Sequence, residues 1–295
     1  METVGFIGTG GMGSGMAANL IKAGYRLVVN DLNSAQAKGL EGQGAQFKDS
    51  PKAVAESCEL VLSMLPNNDA VRAVGLGKSG LAEATTSTKV WIDFSSIDKE
   101  TIVSVSNELK QKGWTVVDAS AGGVEEVAAA GELALWLSGS KALFDEHQPI
   151  FKAMGKSILH VGELGNAKMV KNAMAMLAAV QHLSLVEICC WLRKGGLDEA
   201  TFQTIIKNSQ QDSVATRRLM EILASRKFKP RKSWMPKDVG FGLDMARDME
   251  VPMPFVGLAQ QMFAIAQATG QDGYEATGIA CNLYDVINGN KTKPS

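Results

Sequence analysis

The chain has 295 residues, 45% of them hydrophobic and 21% charged, and its 30 Lys plus Arg against 31 Asp plus Glu leave a formal net charge of -1. That length lies near the limit for one hydrophobic core and predicts two domains, while the near-neutral balance removes the electrostatic footprint of a protein that grips nucleic acid or an anionic membrane. Cys58, Cys189, Cys190 and Cys281, with His147, His160 and His182, show no CxxC or HxxxH spacing, which argues against a metal site or a disulfide framework.

Met1 to Thr3 runs directly into an apolar stretch with no basic segment or cleavage site, so no signal peptide is expected. Three uncharged stretches fail as membrane spans. Thr3–Ile21 is interrupted by glycines and Val251–Gln271 carries Pro252 and Pro254. Asn172–Val186 is too short and contains Gln181, His182 and Ser184. A soluble, cytoplasmic protein with reduced thiols is expected.

Short β-branched runs then alternate with amphipathic segments over the first 160 residues. Strands are predicted at Val4–Ile7, Arg26–Val29, Leu60–Met64, Val90–Phe94, Thr115–Val117 and Ala134–Leu137. Helices are predicted at Gly13–Ala23, Ser34–Glu41, Pro51–Ser57, Asp69–Val74, Asp98–Lys112 and Lys141–Met154. Strand then helix, repeated, is the pattern of a doubly wound, mostly parallel sheet covered on both faces. From about Asn166 the character changes. Ala167–Leu192 is one helical pattern rich in Ala, Met and Leu, ending at Arg193–Lys194, which suit the negative end of a helix dipole, and Gly195–Gly196, which suits a cap. Further helices are expected at Glu199–Lys207, Val214–Ser225, Lys237–Met249, Phe255–Ala268 and Gly273–Val286, with a frayed tail at Asn288–Ser295. The expected divisions are an α/β domain over 1–164, a long interdomain helix over 165–194 and an all-α domain over 195–295.

The first strand, Val4–Ile7, runs into Gly8-Thr9-Gly10-Gly11-Met12-Gly13 and then a helix, which is G-x-G-x-x-G in the setting of a dinucleotide-binding turn. Gly8 permits the tight turn, Gly10 lets the backbone approach a pyrophosphate, and Gly13 lets the helix pack against the strand. The free N–H groups of the helix start, around Gly11 and Met12, then face the phosphates. Asp31, after Asn30 at the end of the second strand, stands where a carboxylate accepts the ribose hydroxyls and repels a 2′-phosphate. No Arg follows closely, so NAD is favoured over NADP. The first domain thus reads as a Rossmann domain.

From this turn onward, the chain resembles the β-hydroxyacid dehydrogenases, which include 3-hydroxyisobutyrate dehydrogenase, tartronate semialdehyde reductase and glyoxylate/succinic semialdehyde reductase; 6-phosphogluconate dehydrogenase is a more distant relative. The resemblance covers essentially the whole chain. It rests on Gly5 to Gly13, Met64-Leu65-Pro66, Ile92-Asp93-Phe94-Ser95-Ser96-Ile97, Val161-Gly162-Glu163-Leu164-Gly165 and Lys237-Asp238. It implies that Leu65 and Pro66 line the cofactor, that Ser96 lies near the nicotinamide ribose, and that Lys237 reaches the cofactor from the helical domain. It also implies a homodimer or homotetramer built through that domain, which the apolar central helix independently suggests.

Hydride transfer between an alcohol and NAD needs a group that takes or returns the hydroxyl proton, and a lysine serves when its surroundings bring its pKa toward operating pH. In the resembling family this lysine lies on the first turns of the long helix. Counting without gaps from Val161 to Gly165 places it at Lys171. A three-residue deletion places it at Lys168 instead and brings Asn172 to the family's substrate-binding Asn. Three helical residues subtend about 300°, so both lysines can line one cleft. The gap-free alignment is simpler and favours Lys171. The family's substrate loop is Asp-Ala-Pro-Val-Ser-Gly-Gly, whereas this chain reads Asp118-Ala119-Ser120-Ala121-Gly122-Gly123-Val124. Gly122 then stands at the Ser position, Ser120 is a candidate substitute, and the Gly122 and Gly123 amides remain to hold an anion. Trp234, beside Met235, is a candidate for the substrate pocket.

Three functions follow. The first is an NAD-dependent dehydrogenase interconverting a 3-hydroxyisobutyrate-like hydroxy acid and its semialdehyde or keto form. The second is a reductase of imines or bulkier carbonyls, since the carboxylate-holding Ser is replaced. The third is a dinucleotide-binding scaffold without turnover, against which the retained lysines argue.

Overall fold

Eight strands form one sheet in the order β3-β2-β1-β4-β5-β6-β7-β8. They are β1 (Thr3–Ile7), β2 (Arg26–Asn30), β3 (Gln46–Phe47), β4 (Leu60–Ser63), β5 (Val90–Asp93), β6 (Thr115–Gly122), β7 (Leu133–Ser138) and β8 (Gly155–His160). Strands β1 to β6 are parallel; β7 is antiparallel to β6, and β8 is parallel to β7. The computed structural model describes residues 2–86, 89–230 and 233–289. The chain divides into two units, Met1–Lys171 and Asn172–Ser295, so the division falls within the long helix.

The central strands β1, β2, β4 and β5 are mostly apolar because both faces are covered, and alternate residues feed two separate cores. Val4, Phe6, Leu60, Leu62 and Ile92 pack on one face; Ile7, Val28, Val61 and Trp91 pack on the other. The covering helices are α1 (Gly11–Lys22), α2 (Lys38–Glu41), α3 (Pro51–Ala55), α4 (Asn68–Leu76), α5 (Lys99–Lys110), α6 (Glu125–Ala129), α7 (Lys141–Glu146) and α8 (Gln148–Met154). Side-chain oxygens of Ser50, Asn67, Asp98 and Ser140 accept from the backbone N–H three residues on and start α3, α4, α5 and α7. The single helix expected over Lys141–Met154 is two, because Pro149 opens a new first turn after His147.

The second unit is helical: α10 (Glu199–Lys207), α11 (Val214–Ser225), α12 (Met235–Asp248), α13 (Pro254–Ala268) and α14 (Ala276–Ile287) follow α9 (Asn166–Lys194). Val186, Met220, Leu223, Val239, Phe263 and Ile279 form its core. Asp285 on α14 receives Arg193 from the end of α9 and Arg226 from the end of α11, while Arg193 also meets Glu199 at 2.7 Å. The cysteines are free thiols, and burial pushes those of Cys189 and Cys281 up to about 12. Residues 290–295 of the expected tail lie outside the described residues.

Taken whole, α9 is long and apolar enough to cross a membrane by length and composition, which the short uncharged stretch Asn172–Val186 conceals. Its first turns, however, carry ion-paired and hydrogen-bonded lysines fixed against the sheet.

Candidate active site

The parallel strands bring the sequence-predicted positions into a row along their carboxyl ends. Asn30 and Asp31 close β2, the glycine turn follows β1, Leu65 and Pro66 follow β4, Ser96 follows β5, and Gly122 ends β6. Ligands of open α/β sheets bind along this edge, where the strand order reverses.

The turn is built for close approach. Gly8 has φ +89°, and its N–H donates to the Asn30 carbonyl at 2.9 Å. A Cβ on Gly13 would stand 2.0 Å from the Gly8 carbonyl oxygen, so only glycine lets α1 start this near β1, and the space beside Gly10 is open. Asp31 Oδ2 accepts from the Thr9 N–H at 2.7 Å and the Thr9 hydroxyl at 3.3 Å, and its Oδ1 accepts from the Asn33 N–H at 2.9 Å. Oδ1 keeps a lone pair for a further donor. These residues fit a dinucleotide: N–H groups for the phosphates, open backbone at Gly10 and an anchored carboxylate. The side chain of Asn30 is buried and donates to the Lys48 carbonyl, so its part in the site is its backbone carbonyl.

The two lysines have different surroundings. Lys168 is fully buried, with its ammonium 3.1 Å from Asp93 Oδ2, 3.0 Å from Asp118 Oδ1, 2.9 Å from the Asp93 carbonyl and 2.7 Å from the Ala119 carbonyl. Burial presses its pKa down, but the carboxylates of Asp118 and Asp93 more than offset this and hold it above the ordinary lysine value. Lys168 is therefore a fully buried ammonium tied to two carboxylates and two carbonyls. Lys171, one turn on, is half-buried and donates to the Ala121 carbonyl at 2.9 Å, beside Gly122 and Gly123.

The supporting network was not legible in the sequence. Asp93 Oδ1 accepts from the hydroxyls of Ser63 and Ser95, each at 2.6 Å, and Ser95 accepts from the Leu65 N–H at 2.8 Å. Asp118 Oδ2 accepts from the N–H groups of Gly165 at 3.0 Å and Ala167 at 3.1 Å and from the Ser138 hydroxyl at 2.7 Å. A strand residue thus caps the long helix, which the spacing of motifs along the chain does not encode.

Ser120 is corrected. Strand β6 continues through it, pairing it with Trp136 on β7, and its side chain is fully buried within the sheet. It is a strand residue rather than a loop residue, and its hydroxyl, like the Asn172 amide, has no hydrogen-bond partner among the described residues. At Gly122 a Cβ would lie 2.6 Å from the Trp136 ring, so the volume of a Ser side chain is already filled. Asn172 is buried, and its amide has no hydrogen-bond partner among the described residues. In the second unit Trp234 is exposed, and the Lys237 ammonium lies 5.5 Å from the centres of both the Trp234 and Phe241 rings and 3.5 Å from Asp238.

Comparison with known proteins matches residues 3–162 to the NAD binding domain of 6-phosphogluconate dehydrogenase and residues 165–281 to the NAD-binding region of NADP-dependent 3-hydroxyisobutyrate dehydrogenase. The chain is 33% identical to 2-(hydroxymethyl)glutarate dehydrogenase of Eubacterium barkeri, over 97% of this chain and 96% of that protein. It is 32% identical to 3-hydroxyisobutyrate dehydrogenase of Pseudomonas aeruginosa, over 95% of this chain and 97% of the relative. Among solved structures, the Mycobacterium tuberculosis 3-hydroxyisobutyrate dehydrogenase with L-serine superposes with a TM-score of 0.87 at 26% identity, covering 96% of this chain and 99% of that one.

Proposed function

The chain belongs to the β-hydroxyacid dehydrogenase family of oxidoreductases, and from that premise we propose that it interconverts a 3-hydroxyisobutyrate-like hydroxy acid and its semialdehyde or keto form with NAD, using Lys171 as acid/base. The observation that carries this reading is the contrast between the lysines. Lys168 is fully buried among two carboxylates and two carbonyls, whereas Lys171 is half-buried and its ammonium donates to the Ala121 carbonyl beside Gly122.

When bound, the nicotinamide supplies or accepts the hydride. The glycine turn and the first N–H groups of α1 would hold the pyrophosphate, and Asp31 would take the ribose hydroxyls. Lys171 takes the hydroxyl proton during oxidation and returns it to the carbonyl oxygen during reduction. Its bond to the Ala121 carbonyl orients the ammonium along β6, and the neighbouring amides of Gly122 and Gly123 would serve the anionic end of the substrate. The unpaired Asn172 amide is suited to accept a polar substrate group, since a buried amide without partners is otherwise costly. Asp31, followed by the fully exposed Leu32 rather than a cation, supports NAD over NADP.

A panel of 3-hydroxy acids, read at the nicotinamide absorbance with NAD and with NADP, tests the reading. Turnover abolished by Lys171→Ala, with folding and NADH binding retained, is expected. Wild-type turnover in that variant refutes the acid/base assignment.

The occupied volume beside Gly122 favours a second reading, reduction of imines or bulkier carbonyls that carry no carboxylate at that position. Turnover of cyclic imines but of no hydroxy acid would establish it. We also propose a homodimer or homotetramer. Met174, Leu177, Ile188 and Trp191 are exposed along one stripe of α9, a surface suited to a second copy.

A further inference from the structure

Strand β6 outruns its neighbour. Its last pairing with β5 is Asp93↔Asp118, yet it continues to Gly122 along β7 alone. Beyond Asp118, the side of β6 that faced β5 has no strand to receive it, and alternate carbonyls there need donors. The long helix supplies them with side chains: Lys168 Nζ donates to the Ala119 carbonyl at 2.7 Å and Lys171 Nζ to the Ala121 carbonyl at 2.9 Å. Two residues along a strand span roughly 7 Å, so the helix is read against β6 at two successive teeth.

We propose that Lys168 is a positioning residue for the reaction, the fixed tooth that sets where Lys171 stands relative to the cofactor loops. The proposal rests on the reading of Lys171 as acid/base. Three observations carry it. Lys168 binds, through one ammonium, the end of β5 (Asp93) and the middle of β6 (Asp118 and Ala119), where the two strands part. Asp93 passes that restraint to the loops after β4 and β5, since the same carboxylate holds Ser63 and Ser95, and Ser95 holds the Leu65 N–H. Asp118 passes it to the helix itself by capping Gly165 and Ala167, with Ser138 donating to that carboxylate and accepting from Ala167. The loops proposed to hold the nicotinamide and the helix turn that carries Lys171 are therefore joined through a single buried cation. Displacing a reacting group by about 1 Å costs on the order of 100-fold in rate.

The test separates positioning from charge balance. Lys168→Met alone strands two buried carboxylates, so the informative variant is Lys168→Met/Asp93→Asn/Asp118→Asn, in which the cluster is neutral and Asn still accepts from the helix N–H groups. Thermal melting, NADH fluorescence titration and kcat with 3-hydroxyisobutyrate, or with the fastest member of the hydroxy-acid panel, are measured beside Lys171→Met. The expected result is a folded variant binding NADH within about threefold of wild type, with kcat about 100-fold lower and KM little changed. A folded triple variant with kcat within threefold of wild type overturns the proposal. If the triple variant does not fold, Ser138→Ala removes one strut of the same clamp and leaves every charge in place. A three- to tenfold fall in kcat at unchanged NADH affinity is expected there, and unchanged kcat overturns the proposal. Full activity in Lys171→Met would instead defeat the acid/base reading on which the proposal stands, a separately visible failure.

Discussion

Replacing Asp31 with Ser tests cofactor choice most directly. The carboxylate is anchored by the Thr9 N–H at 2.7 Å and the Asn33 N–H at 2.9 Å, so it is held in place before any ligand arrives. A hydrogen bond to a charged acceptor contributes roughly 1.5–3 kcal/mol, and losing one weakens NADH binding by roughly 10- to 150-fold at about 1.4 kcal/mol per tenfold. For a 2′-phosphate the same substitution removes a repulsion of about 3 kcal/mol per unit charge, taking about 6 Å and an effective dielectric constant of about 20. Loosening of the Thr9 turn weakens both dinucleotides alike, so the ratio of affinities isolates the carboxylate. Fluorescence titration with NADH and NADPH at fixed ionic strength should find NADH preferred by the wild type and the preference lowered at least 100-fold in Asp31→Ser. A wild type that prefers NADPH, or an unchanged ratio in the variant, refutes the reasoning.

Other substitutions probe the turn, the substrate loop, the helical unit and the assembly. Gly13→Ala puts a methyl group 2.0 Å from the Gly8 carbonyl oxygen, and overpacking of this kind costs roughly 1–3 kcal/mol; a lower melting temperature and loss of NADH binding are expected. Gly122→Ser restores the family hydroxyl but meets the Trp136 ring, so calorimetry should record destabilisation, with recovery when Trp136→Ala makes room. Burial lowers the pKa of His182 below 6.5, so the unfolded chain binds the proton first as pH falls. Above pH 6.5 both states are neutral at this site; below it stability should decline, and His182→Gln should flatten that acid-side slope of melting temperature against pH. Leu177→Glu charges the exposed stripe of α9, and light scattering should find the proposed homo-oligomer reduced to monomers while the circular dichroism spectrum is retained.

The elements legible in the sequence are those whose periodicity serves one purpose. Strands β1, β2, β4 and β5 lie buried on both faces and read as apolar runs, and α10 and α11 carry an apolar stripe with a side-chain cap, so their limits agree with expectation. Strand β6 past Val117 did not read as strand, because Ala119, Ser120, Ala121 and Gly122 have weak strand propensity and pairing with β7 holds them there. Strand β8, with its polar Lys156 and Ser157, and the single turn α6 were missed for similar reasons. The lysine pair marks the limit most clearly. Spacing leaves Lys168 and Lys171 both open, and only Asp93 and Asp118, 75 and 50 residues upstream of Lys168, distinguish the fully buried ammonium from the half-buried lysine.

The cap that Asp118 gives to Gly165 and Ala167 spans 47 and 49 residues of chain. Helices usually begin with a cap from their own neighbourhood, so nucleation is a local event. Here the first turn of α9 has its cap only where β6 stands between β5 and β7, and Lys168 lies out of water between the two carboxylates. The start of the helix and the carboxyl edge of the sheet are therefore one structural unit, and whatever loosens β6 at Asp118 also loosens the turn that carries Lys168 and Lys171.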